Sequence, residues 1–170
     1  GRHLQRQAGV AIESRDDSLL SGDGVEWLLQ GDPRSTAPWR DRLSFMLGRH
    51  WMAHGYGWVF PMAHDQLKVG VCRLPPPHAD KVPLGRSLQR LLHRCGLDQL
   101  PVLDRHGGRV ASTIRRRQPL GAGALWAVGD AASTANLLGG EGIRHAMDSA
   151  SVLSECLLTE GSHQDYQVAL

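Results

Sequence analysis

Apolar and polar positions along the first half of the chain follow the pattern of β-strands. The predicted strands are Val10–Glu13, Val25–Leu29, Leu43–Leu47, Val59–Pro61 and Leu67–Cys72. Only the short loop Ala63–Gln66 separates the last two, so we expect a hairpin, and Gly31–Arg34 predicts a turn. Pro75–Pro77 ends the hairpin, because proline cannot donate to a strand ladder. Strands joined in this way predict an antiparallel sheet.

The second half changes to the helical period. One predicted helix carries Leu84, Leu88, Leu91, Leu92 and Cys95, with Gly96 at its end. A final helix is predicted by Ile143, Ala146, Met147, Ala150, Leu153 and Leu157. Before it, the apolar run Leu125–Val128 predicts a strand. We therefore expect a mixed α/β (α+β) fold, with a mainly antiparallel-sheet region over 1–120, its helix near 83–95, and a strand, turn and helix over 121–170.

Composition and charge exclude several classes of function. A net charge of +2 is too small for a nucleic-acid interface, so no nucleic-acid partner is expected. The triplet Arg115–Arg117 is typical of a solvated charge run; the alternative is contact with a diphosphate, an NADPH phosphate or an anionic membrane. Three cysteines follow no pairing or metal motif, which favours free thiols in a reducing, cytoplasmic compartment. His50 and His54 lack a further ligand, so we predict no metal site.

The most specific pattern starts at Leu125–Ala132 and continues at Gly139–Ile143. A strand that ends in Gly129-Asp130 places a carboxylate at the carboxyl edge of a sheet, where open α/β folds bind ligands. The following glycines let a polar ligand approach the backbone, and a helix that begins there presents unpaired amides to it. The plain alternative is an ordinary strand–loop–helix unit with a glycine-rich connection.

Gly-Asp-Ala-Ala, a six-residue spacer and Gly-Gly-Glu-Gly-Ile together resemble the second flavin-binding signature of FAD-dependent oxidoreductases of the p-hydroxybenzoate hydroxylase fold, and most closely its geranylgeranyl reductase branch. The resemblance implies that Asp130 accepts hydrogen bonds from the ribityl hydroxyls of FAD, and that the amides near Gly140 face the isoalloxazine ring. The implied cofactor-binding residues are Gly129, Asp130, Ala131, Gly139, Gly140, Glu141, Gly142 and Ile143. Leu137 stands where the family usually has proline.

A second segment, Gly55–Pro61 followed by Gly70, resembles the Tyr-x-Trp-x-Phe-Pro segment of geranylgeranyl reductases. Alternation along a strand puts its three aromatic rings on one face. The resemblance implies that this face lines the cavity for an isoprenoid chain, with Tyr56, Trp58, Phe60, Pro61 and Gly70 as substrate-binding residues. The alternative is that the rings pack a sheet against a core. The family has glycine where Cys72 stands, and a side chain there would reshape the cavity.

The Gly-x-Gly-x-x-Gly turn that grips the dinucleotide has no match in the chain. In the family that turn lies near the start of a much longer protein. We therefore expect the C-terminal part of a FAD/NAD(P)-binding Rossmann-like domain, combined with an antiparallel-sheet substrate domain. Such a piece would leave sheet edges and apolar surface exposed.

The resemblance implies a FAD-dependent oxidoreductase that reduces carbon–carbon double bonds of an isoprenoid, with NAD(P)H or another reductant. The flavin would deliver a hydride, and Tyr56 or Cys72 could supply the proton by residue type. A monooxygenase of the same fold, a lycopene-cyclase-like flavoprotein and a non-catalytic flavin-fold remnant are the alternatives. The expected partner is a small apolar molecule, and a long-chain substrate makes peripheral membrane contact reasonable. The oligomeric state stays open.

Overall fold

The computed structural model describes residues 2–10, 19–74, 82–113, 119–136 and 140–170. It divides the chain into one compact unit formed by Gly22–Arg109 and another formed by Gly1–Ser21 with Val110–Leu170. Several predicted features lie outside the described residues: most of the strand Val10–Glu13, the prolines Pro75–Pro77, the triplet Arg115–Arg117, Leu137 and Gly139. None of the described helices is long and apolar enough to cross a membrane.

A five-stranded sheet forms the Gly22–Arg109 unit. Its strands are β1 (Leu19–Gln30), β2 (Ser44–Leu47), β3 (Gly55–Pro61), β4 (Gln66–Arg73) and β5 (Val102–Thr113), in the order β2-β3-β4-β1-β5. Strands β2–β3, β3–β4 and β4–β1 pair antiparallel. The predicted antiparallel sheet and its hairpin are confirmed, and Met62 N–H closes the hairpin on Gln66 O at 2.8 Å.

Two local predictions differ from the structure. Residues 31–34, predicted as a turn, start a short helix (Pro33–Thr36), because Asp32 Oδ1 accepts hydrogen bonds from Arg34 N at 2.7 Å and Ser35 N at 3.0 Å. Strand β5 was not predicted. It lies at the edge of the sheet, and its residues 103–109 are all exposed, so no alternating apolar pattern marks it.

The core of this unit lies between the sheet and the helix Leu84–Cys95, on what we call the helix face. That helix is confirmed, as is its end at Gly96, whose φ is +70°. The buried side chains include Leu29, Val59, Leu67, Val69 and Val71 from the strands and Leu88, Leu91 and Leu92 from the helix. A Cβ on Gly57 would lie within 2.1 Å of Leu91 Cδ1, so only glycine lets the helix come this close.

The other unit contains the helix Arg2–Gln7, the short strands Gly121–Ala122 and Leu125–Trp126, the helix Ile143–Leu158 and the helix His163–Ala169. The final predicted helix is confirmed, and a further one follows it. Residues Leu125–Val128 form less strand than predicted, because the chain turns at Gly129, whose φ is +57°. Leu120, Ala127, Ala132, Cys156 and Tyr166 form the buried core of this unit.

Helix Ile143–Leu158 buries a different side from the one its apolar spacing suggested. Ser149 and Cys156 are buried, whereas Ile143 and Met147 are 82% and 66% exposed. The helix packs through small residues, which let it approach the turn that begins at Gly129. All three cysteines are free thiols; Cys156 is buried, and Cys72 and Cys95 are half-buried.

Candidate functional site

The turn Gly129–Ala132 is fixed against the helix Ile143–Leu158. The N–H of Gly129 donates to Ser149 Oγ at 2.9 Å, and that hydroxyl donates to Ala146 O at 2.8 Å. Ser149 is fully buried, so this bond is shielded from water. A Cβ on Gly129 would lie 3.0 Å from Ala146 Cβ, and its φ of +57° is left-handed. Both facts require glycine at this position.

Tyr166 fixes the same segment through its hydroxyl group. Its hydroxyl lies 2.9 Å from Ala127 O and 3.3 Å from Ser149 O, and its side chain is fully buried. The Tyr166 hydroxyl therefore links the segment that follows strand Leu125–Trp126 to the helix Ile143–Leu158. Ser149 and Tyr166 are not among the residues that the sequence predicts for this site. A serine within an otherwise apolar helical stripe was the available signal for the first, and none marked the second.

Asp130 lies beside the start of the helix. Its side chain is exposed, and Oδ1 is 3.9 Å from the position that a Cβ on Gly142 would take. Gly142 is the N-cap, and no described side chain caps this helix. Within the described parts of the chain, the Asp130 carboxylate has no hydrogen-bond or ion-pair partner. A free acceptor and unpaired backbone donors thus lie together, with the positive end of the helix dipole between them.

The loop before the helix completes this arrangement. Asn136 N–H donates to Glu141 O at 2.8 Å, and Gly140 has a left-handed φ of +68°. The Glu141 carboxylate is already engaged by Arg144 at 3.3 Å and His145 at 3.6 Å, on the exposed surface. The structure therefore brings Gly129, Asp130 and Ala131 together with Gly140–Ile143, while Gly139 lies outside the described residues.

Donors and acceptor of this kind fit a polyhydroxylated, partly anionic ligand. A carboxylate accepts hydrogen bonds from hydroxyl groups, and the amides of a helix start stabilise negative charge. The ribityl chain and the pyrimidine edge of FAD present those two features. These residues could therefore hold FAD, and their assignment to it stays a prediction.

The second group of predicted residues lies on the side of the sheet opposite the helix face, which we call the open face. Strand register forms two of its rows: Tyr56–Cys72–Gly24 and Trp58–Gly70–Glu26. A third row is Phe60–Lys68–Leu28. Pro61 ends β3 opposite Leu67. Successive residues of a strand point to opposite faces, so Pro61, next to Phe60, is not part of the open face. It lines a cleft of about 380 Å³.

The aromatic rings of the open face form one cluster, the aromatic platform, made of Phe45, Tyr56, Trp58 and Phe60. Ring centroids are 6.0 Å apart for Tyr56–Trp58, 6.2 Å for Trp58–Phe60 and 5.3 Å for Phe45–Phe60. Phe45 comes from β2 and is 52% exposed. The platform is separate from the buried core, which lies on the helix face. Tyr56, Trp58 and Phe60 are half-buried, and within the described residues the four rings do not belong to that core.

Gly70 makes room for Trp58. A Cβ on Gly70 would lie 2.1 Å from Trp58 Cζ2 and 2.4 Å from Cε2, so the indole lies flat over this glycine. The indole N–H then reaches the next strand and donates to Glu26 Oε2 at 2.9 Å. This contact explains why a glycine is needed in the middle of β4.

Glu26 gathers three donors. Oε1 lies 2.8 Å from His106 Nε2 and 3.3 Å from Lys68 Nζ, and Oε2 accepts from Trp58. Burial acts to raise the pKa of Glu26, but the hydrogen bonds from Trp58 and His106 and the charge of Lys68 outweigh it and lower the pKa. The pKa of His106 is raised by its hydrogen bonds to Asp104 and Glu26.

Tyr56 and Cys72 form a neutral polar pair on the same face. Burial, together with the Cys72 thiol that it hydrogen-bonds, raises the pKa of Tyr56 to about 12. Burial also raises the pKa of Cys72, against the opposing effect of the Tyr56 hydrogen bond. Both groups therefore keep their protons at neutral pH. Cys72, which stands where the family has glycine, thus provides a hydrogen-bond partner for Tyr56.

The sequence is similar to that of a known reductase. Over 155 residues it is 29% identical to the menaquinone reductase of Mycolicibacterium smegmatis, and the match covers 81% of this chain and 34% of that protein. No protein-family model matches the chain. The chain thus spans about a third of the length of the curated relative that it matches.

Solved structures share the fold. A geranylgeranyl bacteriochlorophyll reductase-like protein from Thermoplasma acidophilum matches with a TM-score of 0.65 and 25% identity, over 96% of this chain and 41% of its own. A flavoprotein/dehydrogenase from Cytophaga hutchinsonii matches with a TM-score of 0.58 and 14% identity, over 95% and 40%. A halogenase in complex with FAD matches with a TM-score of 0.58 and 11% identity, over 98% and 37%. The predicted fold class is confirmed: the mixed α/β fold with its antiparallel sheet is shared with these flavoproteins.

Proposed function

We propose that the intact protein is a FAD-dependent oxidoreductase that reduces carbon–carbon double bonds of an isoprenoid, as geranylgeranyl reductases do. The observation that carries this proposal is the exposed Asp130 carboxylate, which has no partner among the described residues, beside the start of the helix Ile143–Leu158, which no described side chain caps. It occurs in a fold shared with FAD-binding proteins. The hydroxyl groups and the anionic edge of a reduced flavin match this acceptor and these amides.

The protein's part toward the flavin is binding and electrostatic tuning. Asp130 would accept hydrogen bonds from the ribityl hydroxyls, and the amides around Gly140, Glu141 and Gly142 would face the pyrimidine edge. When bound, FAD supplies hydride-transfer chemistry, with NAD(P)H or another reductant as the electron source. The positive helix end favours negative charge on the ring, so these residues raise the stability of the reduced state. The anchors at Ser149 and Tyr166 keep the loop in this geometry.

The aromatic platform suits an apolar chain. Phe45 is 52% exposed, and Leu43 and Leu47 beside it are 63% and 67% exposed, so the edge of the open face offers continuous apolar surface. Two relatives support an isoprenoid, since geranylgeranyl is an isoprenoid group and menaquinone carries an isoprenoid chain. Tyr56 and Cys72 are protonated groups on this face and can hold the proton that the second alkene carbon needs. A long-chain substrate would also bring the protein to a membrane surface.

An anaerobic half-reaction tests the proposal. The flavin of the purified intact protein is reduced, and its visible absorption is followed after geranylgeraniol is added. We expect reoxidation with geranylgeraniol and none with its fully saturated analogue, which is the matched control. If neither compound reoxidises the flavin without oxygen, and added oxygen then yields a hydroxylated product, the protein is a monooxygenase and the proposal is overturned. A protein that takes up no FAD would overturn the proposal.

A further inference from the structure

Glu26 lies at the border of the aromatic platform, one strand beyond Gly70. Its side chain is only 17% exposed, and carboxylates are rarely so covered without several partners. Both of its oxygens are occupied, Oε2 by Trp58 and Oε1 by His106 and Lys68. A carboxylate held on both sides has one orientation, so the group that it binds is also fixed in place.

The indole of Trp58 depends on that carboxylate. Its ring spans Gly70, which has no side chain to hold it, and its neighbours Tyr56 and Phe60 touch it only through ring faces and edges. Ring contacts allow a side chain to slide, whereas a hydrogen bond of 2.9 Å from Nε1 to Oε2 does not. Without an acceptor at position 26 the indole has no polar anchor and can rotate away from the sheet.

We infer that Glu26 is a positioning residue: through the Trp58 indole it keeps the aromatic platform flat over Gly70 and so sets how the apolar chain of the substrate binds. This inference rests on the proposed function. His106 and Lys68 act only behind Glu26, by contacting its Oε1. Asp104 contacts His106 and not Glu26. Glu26 touches neither the flavin nor the alkene in this account.

Four variants of the FAD-loaded intact protein separate this role from a general structural one. Glu26→Gln keeps an oxygen that can accept from Trp58, whereas Glu26→Ala removes it. Trp58→Phe keeps a ring but removes the N–H, and the fourth variant combines Glu26→Ala with Trp58→Phe. Asp104→Asn is the matched control, because it alters His106 and leaves the Trp58 contact intact.

We expect Glu26→Ala to raise the KM for geranylgeraniol about tenfold while kcat changes less than about twofold. Glu26→Gln and Asp104→Asn should stay within about threefold of wild type. Trp58→Phe should match Glu26→Ala, and the double variant should be no worse than either, because both remove the same contact. Effects that multiply in the double variant, or a Glu26→Gln as impaired as Glu26→Ala, would overturn the inference.

A second readout needs no substrate and no turnover. The Trp58 indole N–H is assigned in the ¹⁵N spectrum of tryptophan-labelled protein by its loss in Trp58→Phe. We expect its signal to persist near the wild-type position in Glu26→Gln and to move to that of a solvent-exposed indole in Glu26→Ala. An unmoved signal in Glu26→Ala would refute the contact. If wild type reduces no prenyl substrate, the proposed function fails, and this spectrum alone still decides whether Glu26 holds the indole.

Discussion

Replacing Gly70 by alanine tests the geometry of the open face most sharply. The new methyl group would lie 2.1 Å from Trp58 Cζ2, 2.4 Å from Cε2 and 2.8 Å from Cη2. Ordinary contacts begin near 3.4 Å, so the indole must withdraw by more than 1 Å. That movement breaks the 2.9 Å hydrogen bond between Trp58 and Glu26.

Three effects determine the size of the change. Overpacking costs about 1–3 kcal/mol, and losing a hydrogen bond to a charged group costs about 1.5–3 kcal/mol. Alanine recovers about 0.4–1 kcal/mol by restricting the unfolded chain. The ring is half-exposed and can move toward solvent, so the lower values apply. We expect Gly70→Ala to lower the free energy of unfolding by about 2 kcal/mol.

Urea unfolding at neutral pH measures this difference, and the chain offers a matched control. Gly24 lies on the same face, but a Cβ there would meet Val71 O at 3.7 Å and Cys72 Cβ at 3.8 Å, which are ordinary contacts. Gly24→Ala should therefore stay within about 0.5 kcal/mol of wild type. In a Trp58→Phe background Gly70→Ala should cost less than about 1 kcal/mol, because the smaller ring leaves room for the methyl group and the hydrogen bond to Glu26 is already absent. Equal midpoints for the two alanine variants would refute the position of the indole.

Further predictions concern the loop and the pH response. Ser149→Ala should cost about 1–3 kcal/mol in urea unfolding, because the buried Gly129 N–H loses its acceptor; a cost below that of a typical surface change would contradict the anchor. Gly129→Ala should cost more than Gly123→Ala in the same assay, since both have left-handed φ values of +57° and +56° but only Gly129 faces a close neighbour. The pKa of His106 is raised, so its contribution to stability is complete below pH 6.5, its ordinary pKa, and is lost as the pH rises through the raised pKa. The pKa of Glu26 is lowered, so its contribution is complete above pH 4.5, its ordinary pKa, and is lost as the pH falls through the lowered pKa. The melting temperature, measured as a function of pH, should fall on both the acidic and the alkaline side. In His106→Gln the fall on the alkaline side should be smaller.

The elements that the sequence predicts well have a strong period and face a core. The hairpin of β3 and β4 and the helix Leu84–Cys95 bury regular apolar positions, so their pattern is visible without the structure. Strand β5 is an exposed edge and lacks that pattern. The residues around Asp32 suit both a turn and a helix start, and the side chain of Ser35, which accepts from Asp32 N–H at 2.9 Å, favours the helix.

The candidate site divides in a similar way. Asp130 and its glycines are predictable because they belong to one local motif. Ser149 and Tyr166 act on residues 20 and 39 positions away, and Trp58 reaches a carboxylate 32 positions away. Such contacts depend on which residues the fold brings together, and periodicity carries no information about them. The position of the Asp130 carboxylate beside the start of the helix likewise becomes visible only in the folded structure.

The central claim is that Asp130 and the start of the helix Ile143–Leu158 bind FAD. FAD titrated into the flavin-free intact protein gives the dissociation constant directly, for wild type and for Asp130→Ala. Asp148→Ala is the control, because it removes one carboxylate from the same helix, and that carboxylate pairs with Arg144 on the exposed surface. We predict that Asp130→Ala weakens FAD binding about ten- to a hundredfold, as expected for a lost charge-assisted hydrogen bond, and that Asp148→Ala leaves it nearly unchanged. Equal affinity in wild type and Asp130→Ala, or no FAD binding at all, would contradict the account.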